Sequence, residues 1–257
     1  MGPWTPFEHT RAFALDVSMV QKRWARLHAG DREPVPTDHR VLTAWTLYHR
    51  GEFQKAYELG GQLGEVGLHV ALKSACVYAA HLEPKEKVRL DLYLEVVQRA
   101  EKQLDAQPQI ANGHYWQAYA LARYGHGISV AKALALGLGA KIKSALETTI
   151  RLEPKHADAH IALGLFHAEV IDKVGALIGR ITYGAKPETS LDLMAKGLEL
   201  APKSPGALME QANALLMLEG DTREAEAAEL YQKAARMVPQ DAAEFLEVAL
   251  AKAQLQD

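Results

Sequence analysis

Helices that end in proline constrain the fold of this 257-residue chain more than any other sequence feature. The ending recurs as LEPK at 82–85 and 152–155, LAPK at 200–203 and MVPQ at 237–240, with DAQP at 105–108 as a looser version. Proline restricts the residue before it and is tolerated in the first turn of a helix, so each ending marks a boundary between two helices. Apolar residues also recur at helical spacing along almost the whole chain. The sequence therefore predicts an all-helical array of hairpins that repeats every few tens of residues.

Small residues give a second, independent register for the same array. One lies inside the first helix of each predicted hairpin, where two helices can cross closely: Ala44, Ala75, Ala120, Gly164 and Ala212. Large residues lie near them in the sequence, as Trp116 and Tyr119 precede Ala120.

This alternation, with three longer segments, resembles the tetratricopeptide repeat (TPR). The segments are GEFQKAYELG at 51–60, LMAKGLELAP at 193–202 and LYQKAARMVP at 230–239, and the resemblance covers roughly residues 37–239. It implies a right-handed α-solenoid of about five TPR-like hairpins. The two central repeats are longer than the family's repeat of about 34 residues, so they carry inserts.

The predicted organisation has two parts. Residues 1–38 form an N-terminal helix near 6–28 and a polar linker that pack on the solenoid of residues 39–257. The hairpins pair 39–50 with 52–66, 68–82 with 85–106, 112–126 with 139–152, 156–170 with 186–200, and 204–219 with 222–237. A last helix near 241–255 caps the array, and Asp241 and Glu244 have the spacing of a capping box at its start.

The inserts at 127–144 and 170–190 are apolar and contain glycine, and each ends near a Gly-Ala-Lys triplet. One interpretation is that they lengthen helices and pack against each other. The other is that they line a pocket for an apolar ligand or dip into a membrane surface. The segment HYWQAYALARYGHGIS at 114–129 with its glycine-containing continuation is similar to two groups with expanded middle repeats, the T-component of TRAP transporters and the regulator of microtubule dynamics family.

Composition excludes several other classes of protein. The formal net charge of −3 argues against a nucleic-acid-binding surface, and the single cysteine, Cys76, cannot form an internal disulfide. The longest apolar stretch is too short and too interrupted by lysine to span a membrane, so we expect no stable membrane insertion. The N-terminus lacks the pattern of a signal peptide, which favours a cytoplasmic protein. A periplasmic location is the alternative if a signal sequence has been removed.

No local motif points to catalysis, a cofactor or a metal. His156, His160 and His167 share one helical face, but the rise of about 1.5 Å per residue places the third some 10 Å from the second. GLGAKIKS at 137–144 lacks the Gly-Lys-Ser/Thr order of a phosphate-binding loop. We therefore expect a protein that is not an enzyme and that needs no cofactor or metal.

The TPR resemblance implies a concave groove lined by the first helix of each hairpin. Its expected lining is mostly apolar and aromatic, with Val41, Leu72, Cys76 and Leu216 beside the candidate contact residues: Trp45, Tyr48, His49, His114, Gln117, Leu121, Tyr124, Ile161, Leu165, Glu169, Met209 and Asn213. TPR proteins that clamp a terminal carboxylate use lysine, arginine and asparagine in the groove. Among these candidates only Asn213 matches, so that type of ligand is not expected.

The sequence therefore predicts a non-enzymatic binding or scaffold protein that recognises a protein or peptide segment in its groove. The alternative is a protein that binds an apolar small molecule or lipid, with the two inserts as pocket walls. A third possibility is a subunit whose apolar patches serve homo-oligomerisation.

Overall fold

A computed structural model describes residues 2–256 of the chain, and within them every regular element is a helix. The α-helices, in chain order, are α1 (Val17–Leu27), α2 (His39–His49), α3 (Phe53–Gln62), α4 (Leu68–His81), α5 (Glu86–Ala106), α6 (Ala111–His126), α7 (Val130–Ala135), α8 (Leu138–Leu152), α9 (Ala157–Val174), α10 (Ala176–Tyr183), α11 (Pro187–Leu200), α12 (Pro205–Glu219), α13 (Glu224–Ala235) and α14 (Ala242–Ala253). No helix among the described residues is long and apolar enough to cross a membrane.

The chain divides into two compact units. The first comprises the residues up to His28, 33–152 and 240–243. It contains the hairpins α2/α3, α4/α5 and α6/α8, together with α1 and the short helix α7. The second comprises 29–32, 153–239 and the residues from Glu244 onwards, with the hairpins α9/α11 and α12/α13, the short helix α10 and most of α14.

The five predicted hairpins are confirmed. Pro84, Pro154, Pro202 and Pro239 all lie in the breaks between helices, and Pro205 occupies the first turn of α12. Side-chain caps reinforce some of these starts. Ser204 Oγ accepts a hydrogen bond from the backbone N–H of Ala207 at 3.1 Å, which satisfies one of the amides that a helix start leaves without a partner.

The small residues mark close helix crossings, as predicted. Ala44, Ala75, Ala120 and Ala212 are at most 1 % exposed. A β-carbon on Gly164 of α9 would lie 2.9 Å from the carbonyl oxygen of Ser190 in α11, which shows how near the two helices approach.

The N-terminal segment differs from the predicted helix near 6–28. Its helix α1 begins only at Val17, where the Asp16 side chain accepts a hydrogen bond from the N–H of Met19 at 2.8 Å. Upstream residues are held by aromatic contacts instead, since the ring of Trp4 stacks on Tyr78 at 4.1 Å between centroids. Phe7 is buried in the same unit. Aromatic anchors and a 3-10 turn at Thr10–Phe13 thus replace the first half of the expected helix.

Each insert contains a separate short helix. Helix α7 lies in the first insert and α10 in the second. Glycines with positive φ border them, Gly137 (φ 63°) after α7 and Gly175 (φ 83°) and Gly184 (φ 66°) around α10. These φ values suit glycine, so the inserts break from the neighbouring long helices instead of extending them.

Two adjacent glycines of α3 test the close crossing between α3 and α4. A β-carbon on Gly60 would lie 2.7 Å from the carbonyl oxygen of Gly67, whereas on Gly61 its nearest neighbour is the end of the Arg99 side chain at 3.5 Å. We expect Gly60→Ala to lower the free energy of unfolding by about 1–3 kcal/mol, since the backbone has to move. Gly61→Ala is the matched control and should be neutral or stabilising by up to about 1 kcal/mol. Urea denaturation measures both, and equal effects would contradict the close crossing.

Candidate functional site

Three of the predicted groove residues lie on α2 and are buried in the first unit. Trp45 and Tyr48 are 1 % exposed and His49 is not exposed at all. The ring of Trp24 in α1 and the ring of His28, directly after α1, cover them. Both rings meet Trp45 edge-on, with 5.8 Å between the centroids for Trp24 and 4.6 Å for His28. These side chains therefore form an aromatic core between α1 and α2.

A chain of buried polar contacts continues from this core. The Nδ1 of His49 lies 2.7 Å from Oδ2 of Asp241, and its Nε2 lies 3.3 Å from Nε2 of His28. An ionised carboxylate only accepts hydrogen bonds, so a neutral His49 donates from Nδ1 to Asp241 and accepts from His28 at Nε2. Burial lowers the pKa of His49 to about 4, although the attraction of Asp241 opposes that change. Asp241, which the sequence predicts as part of a capping box, thus contacts His49 of the first hairpin.

Lys73 of α4 is the centre of the most distinctive cluster in the first unit. Its ammonium lies 5.8 Å from the ring centroid of Trp45, 5.4 Å from that of Tyr48 and 5.8 Å from that of Trp116. Each distance is within the range of a cation–π interaction. Lys73 is partly exposed, so its charge is held between α2, α4 and α6 and still reaches the surface.

Two further cations lie against rings of α6. The guanidinium of Arg123 is 5.2 Å from the ring of Tyr119, and the ammonium of Lys132 is 5.9 Å from the ring of Tyr124. Trp116, whose ring contacts Lys73, is on the same helix as Tyr119 and Tyr124. From Trp116 to Tyr124 the helix rises by about 12 Å, at about 1.5 Å per residue. We call Lys73, Arg123 and Lys132, the three cations that lie against rings of α2 and α6, the cationic face.

Arg123 also affects the buried groups near it. Burial lowers the pKa of His81 to about 4, and the positive charge of Arg123 lowers it further. Burial raises the pKa of the Cys76 thiol, which Arg123 opposes. Cys76 is fully buried and therefore no candidate nucleophile at neutral pH.

The other predicted groove residues of the first unit lie on α6. Leu121 and Tyr124 are buried. His114 and Gln117 are partly exposed and make local contacts: His114 Nε2 donates to the carbonyl of Pro108 at 2.9 Å, and Gln117 donates to Glu101 at 3.3 Å.

In the second unit the predicted groove residues lie on α9 and α12. Ile161 and Met209 are 6 % exposed and belong to apolar clusters. The partly exposed residues are Leu165, Glu169 and Asn213. Asn213 donates to Glu210 at 2.9 Å and accepts from the hydroxyl of Tyr231.

The histidines of α9 have structural contacts. His156 caps the helix by accepting from the N–H of Ala159 at 3.1 Å, and His160 Nε2 donates to the carbonyl of Pro154 at 3.0 Å. Within residues 2–256, no group of three or more histidine, cysteine, aspartate or glutamate side chains is placed to hold a metal ion.

The predicted groove does not include the residues of the cationic face. Its lining includes Leu72 and Cys76 of α4, but both are fully buried, and the side chain of α4 that reaches the surface is Lys73. Helical spacing shows which residues share a face and leaves open which face is covered. A lysine within the apolar segment LHVALKSACVYAA was the available signal, because lysine is seldom fully buried.

Comparison with known proteins adds the family. The family model of the regulator of microtubule dynamics proteins 1–3 matches residues 43–256. The chain belongs to this family. A crystal structure of a thermophilic TPR protein from Thermus thermophilus matches the fold with a TM-score of 0.58, at 18 % sequence identity, over 84 % of this chain and 98 % of that one. No curated protein matches the sequence.

These two matches confirm the predicted TPR-like fold and the resemblance to the regulator of microtubule dynamics family. The resemblance to TRAP transporter T-components stays a prediction. At 18 % identity the structural match shows the fold alone, so the function has to be argued from the residues of this family member.

Two histidines with lowered pKa values, His49 and His81, predict how stability depends on pH. The folded pKa of His49, about 4, is below the ordinary value of 6.5, so the unfolded chain takes up this proton first as the pH falls. We expect the free energy of unfolding to fall between pH 6.5 and pH 4, by up to about 3 kcal/mol from His49. His81 acts in the same direction.

Urea denaturation at several pH values measures the loss, and histidine NMR titration assigns it. A His49 resonance that titrates at or above pH 6.5 would show that the attraction of Asp241 outweighs burial, contrary to this account.

Proposed function

We propose that the protein is a non-enzymatic binding module that recognises an acidic segment of a partner protein on the cationic face of its first unit. The TPR-like fold supports a role in protein binding, since stacked helical hairpins present extended surfaces to other chains. The proposal needs no cofactor and no metal.

The observation that carries this proposal is the position of Lys73 between three aromatic rings. The three ring faces hold the ammonium of Lys73 in a partly exposed position, where a carboxylate of a partner can reach it. Partial burial lowers the local dielectric, which strengthens that contact relative to one on an open surface. Arg123 and Lys132 extend the positive charge along α6 and favour a segment with more than one acidic residue.

We propose that other partly exposed residues of α6 supply further contacts. His114 and Gln117 lie on α6, the helix whose rings hold the cations. In the second unit, Leu165, Glu169 and Asn213 are the predicted groove residues that remain partly exposed, and a role for them in binding stays a prediction. Trp45, Tyr48 and His49 support Lys73 and do not themselves meet the partner.

The alternative function, binding of an apolar small molecule with the inserts as pocket walls, rests on their apolar side chains. Val130, Leu134 and Leu136 of the first insert are 44–53 % exposed. Such exposure favours a surface role over a pocket wall. Native mass spectrometry before and after denaturation tests the alternative, which requires a small apolar mass that leaves only on denaturation.

Substitution of Lys73 tests the proposed site. A random peptide display library selected on the full chain should yield peptides rich in aspartate and glutamate. Lys73→Met keeps the aliphatic stem against the rings and removes the charge, so we expect the selected peptides to bind about tenfold to hundredfold more weakly.

Lys55→Met is the matched control, since Lys55 is an exposed lysine of α3, away from the three rings. It should bind as the parent does, and thermal melting should show that both variants fold. Selected peptides without acidic residues, or equal binding by Lys73→Met, would refute the proposal.

A further inference from the structure

The short helix α10 in the second unit presents an apolar face that the proposed function does not use. Leu177, Ile178 and Ile181 are 72 %, 58 % and 76 % exposed. At about 100° per residue, the three side chains lie within one arc of roughly 100° on the helix. They form a continuous apolar stripe, which we call the α10 stripe.

The opposite side of α10 is fixed to the unit. Gly179 is buried, and a β-carbon on it would lie 3.0 Å from Val170 of α9. The carbonyl of Gly179 also accepts a hydrogen bond from the N–H of Ala185 at 3.1 Å. The helix is therefore held by its inner side, and the α10 stripe points outward.

The charge around the α10 stripe is positive although the whole chain is acidic. From Lys173 to Pro187 the sequence contains Lys173, Arg180 and Lys186 and no aspartate or glutamate, and all three cations are exposed. Asp172 and Glu188, one residue beyond each end, are exposed as well, so three cations and two anions give residues 172–188 a net charge of +1. The formal net charge of the chain is −3. A local positive charge beside exposed leucine and isoleucine matches a surface with anionic groups on the outside and an apolar layer beneath them.

The first insert repeats this combination in the first unit. From residue 127 to residue 146 there are three lysines and no acidic residue, and Val130, Leu134 and Leu136 are exposed. The same chemistry at both inserts argues for a common role.

We propose that α10 docks on the surface of a membrane that contains anionic lipids, with the α10 stripe inserted among the acyl chains at the headgroup boundary. Three side chains supply only a small part of the roughly 800 Å² per partner that a stable dimer buries. A second copy on this stripe alone is thus a poor occupant. A lipid interface accepts single side chains without a complementary surface, and its phosphate and carboxylate groups pair with Lys173, Arg180 and Lys186.

Fluorescence of a single label on the full chain tests the docking. Ile181→Cys can be labelled selectively with the environment-sensitive dye NBD, because Cys76 is fully buried. Vesicles of phosphatidylcholine with about 30 % phosphatidylserine should raise the emission several-fold and shift it to the blue, and added salt should weaken the response. Val66→Cys is the control label, since Val66 is 64 % exposed in the turn after α3 and should not respond.

Flotation with the same vesicles tests the side chains. Leu177→Gln combined with Ile181→Gln should reduce the bound fraction at least tenfold, and Val66→Gln should leave it unchanged. Because all three sites are exposed, these variants should keep the parent's melting curve. The proposal is overturned if the NBD label does not respond to anionic vesicles or if the double variant floats as the parent does. An emission change that rises with protein concentration without vesicles would assign the stripe to a second copy instead.

Discussion

The packing of Trp45 is the interaction on which the first unit depends. Its ring contacts Trp24 and His28 at the end of α1, Tyr48 and His49 on its own helix, and the ammonium of Lys73 on α4. One buried side chain therefore joins the N-terminal segment, the first hairpin and the second hairpin. The same packing buries the α2 residues, and in the proposed function it leaves Lys73 as the side chain that contacts the partner.

Much of the fold could be predicted from the sequence because prolines and small residues are local signals. Pro154 and Pro202 end their hairpins as expected, and Gly164 lies at a close crossing of α9 and α11. The site could be predicted only in part. Helical periodicity places Leu72, Lys73 and Cys76 on one helix, but which of them is covered depends on neighbours distant in sequence. The bond between His49 and Asp241, separated by 192 positions, has no local signal either.

The inserts show where the periodic pattern stops being informative. An apolar run predicts burial, yet Leu177 and Ile181 of α10 are among the most exposed large apolar side chains of the described residues. The distinguishing signal is charge: both inserts combine apolar residues with lysine or arginine and lack acidic residues at their centres, in a chain that is acidic overall. An apolar segment that also carries local positive charge is better explained by an outside surface than by the core.

The indole N–H signals of the four tryptophans give a direct measurement of whether a partner segment binds beside Lys73. In a two-dimensional NMR spectrum of protein with ¹⁵N-labelled tryptophan, a bound acidic peptide should shift the signals of Trp116 and Trp45, whose rings hold Lys73. Trp4, which stacks on Tyr78, should stay in place. Saturation with peptide that leaves Trp116 and Trp45 unmoved, or that moves Trp4 most, would contradict binding beside Lys73.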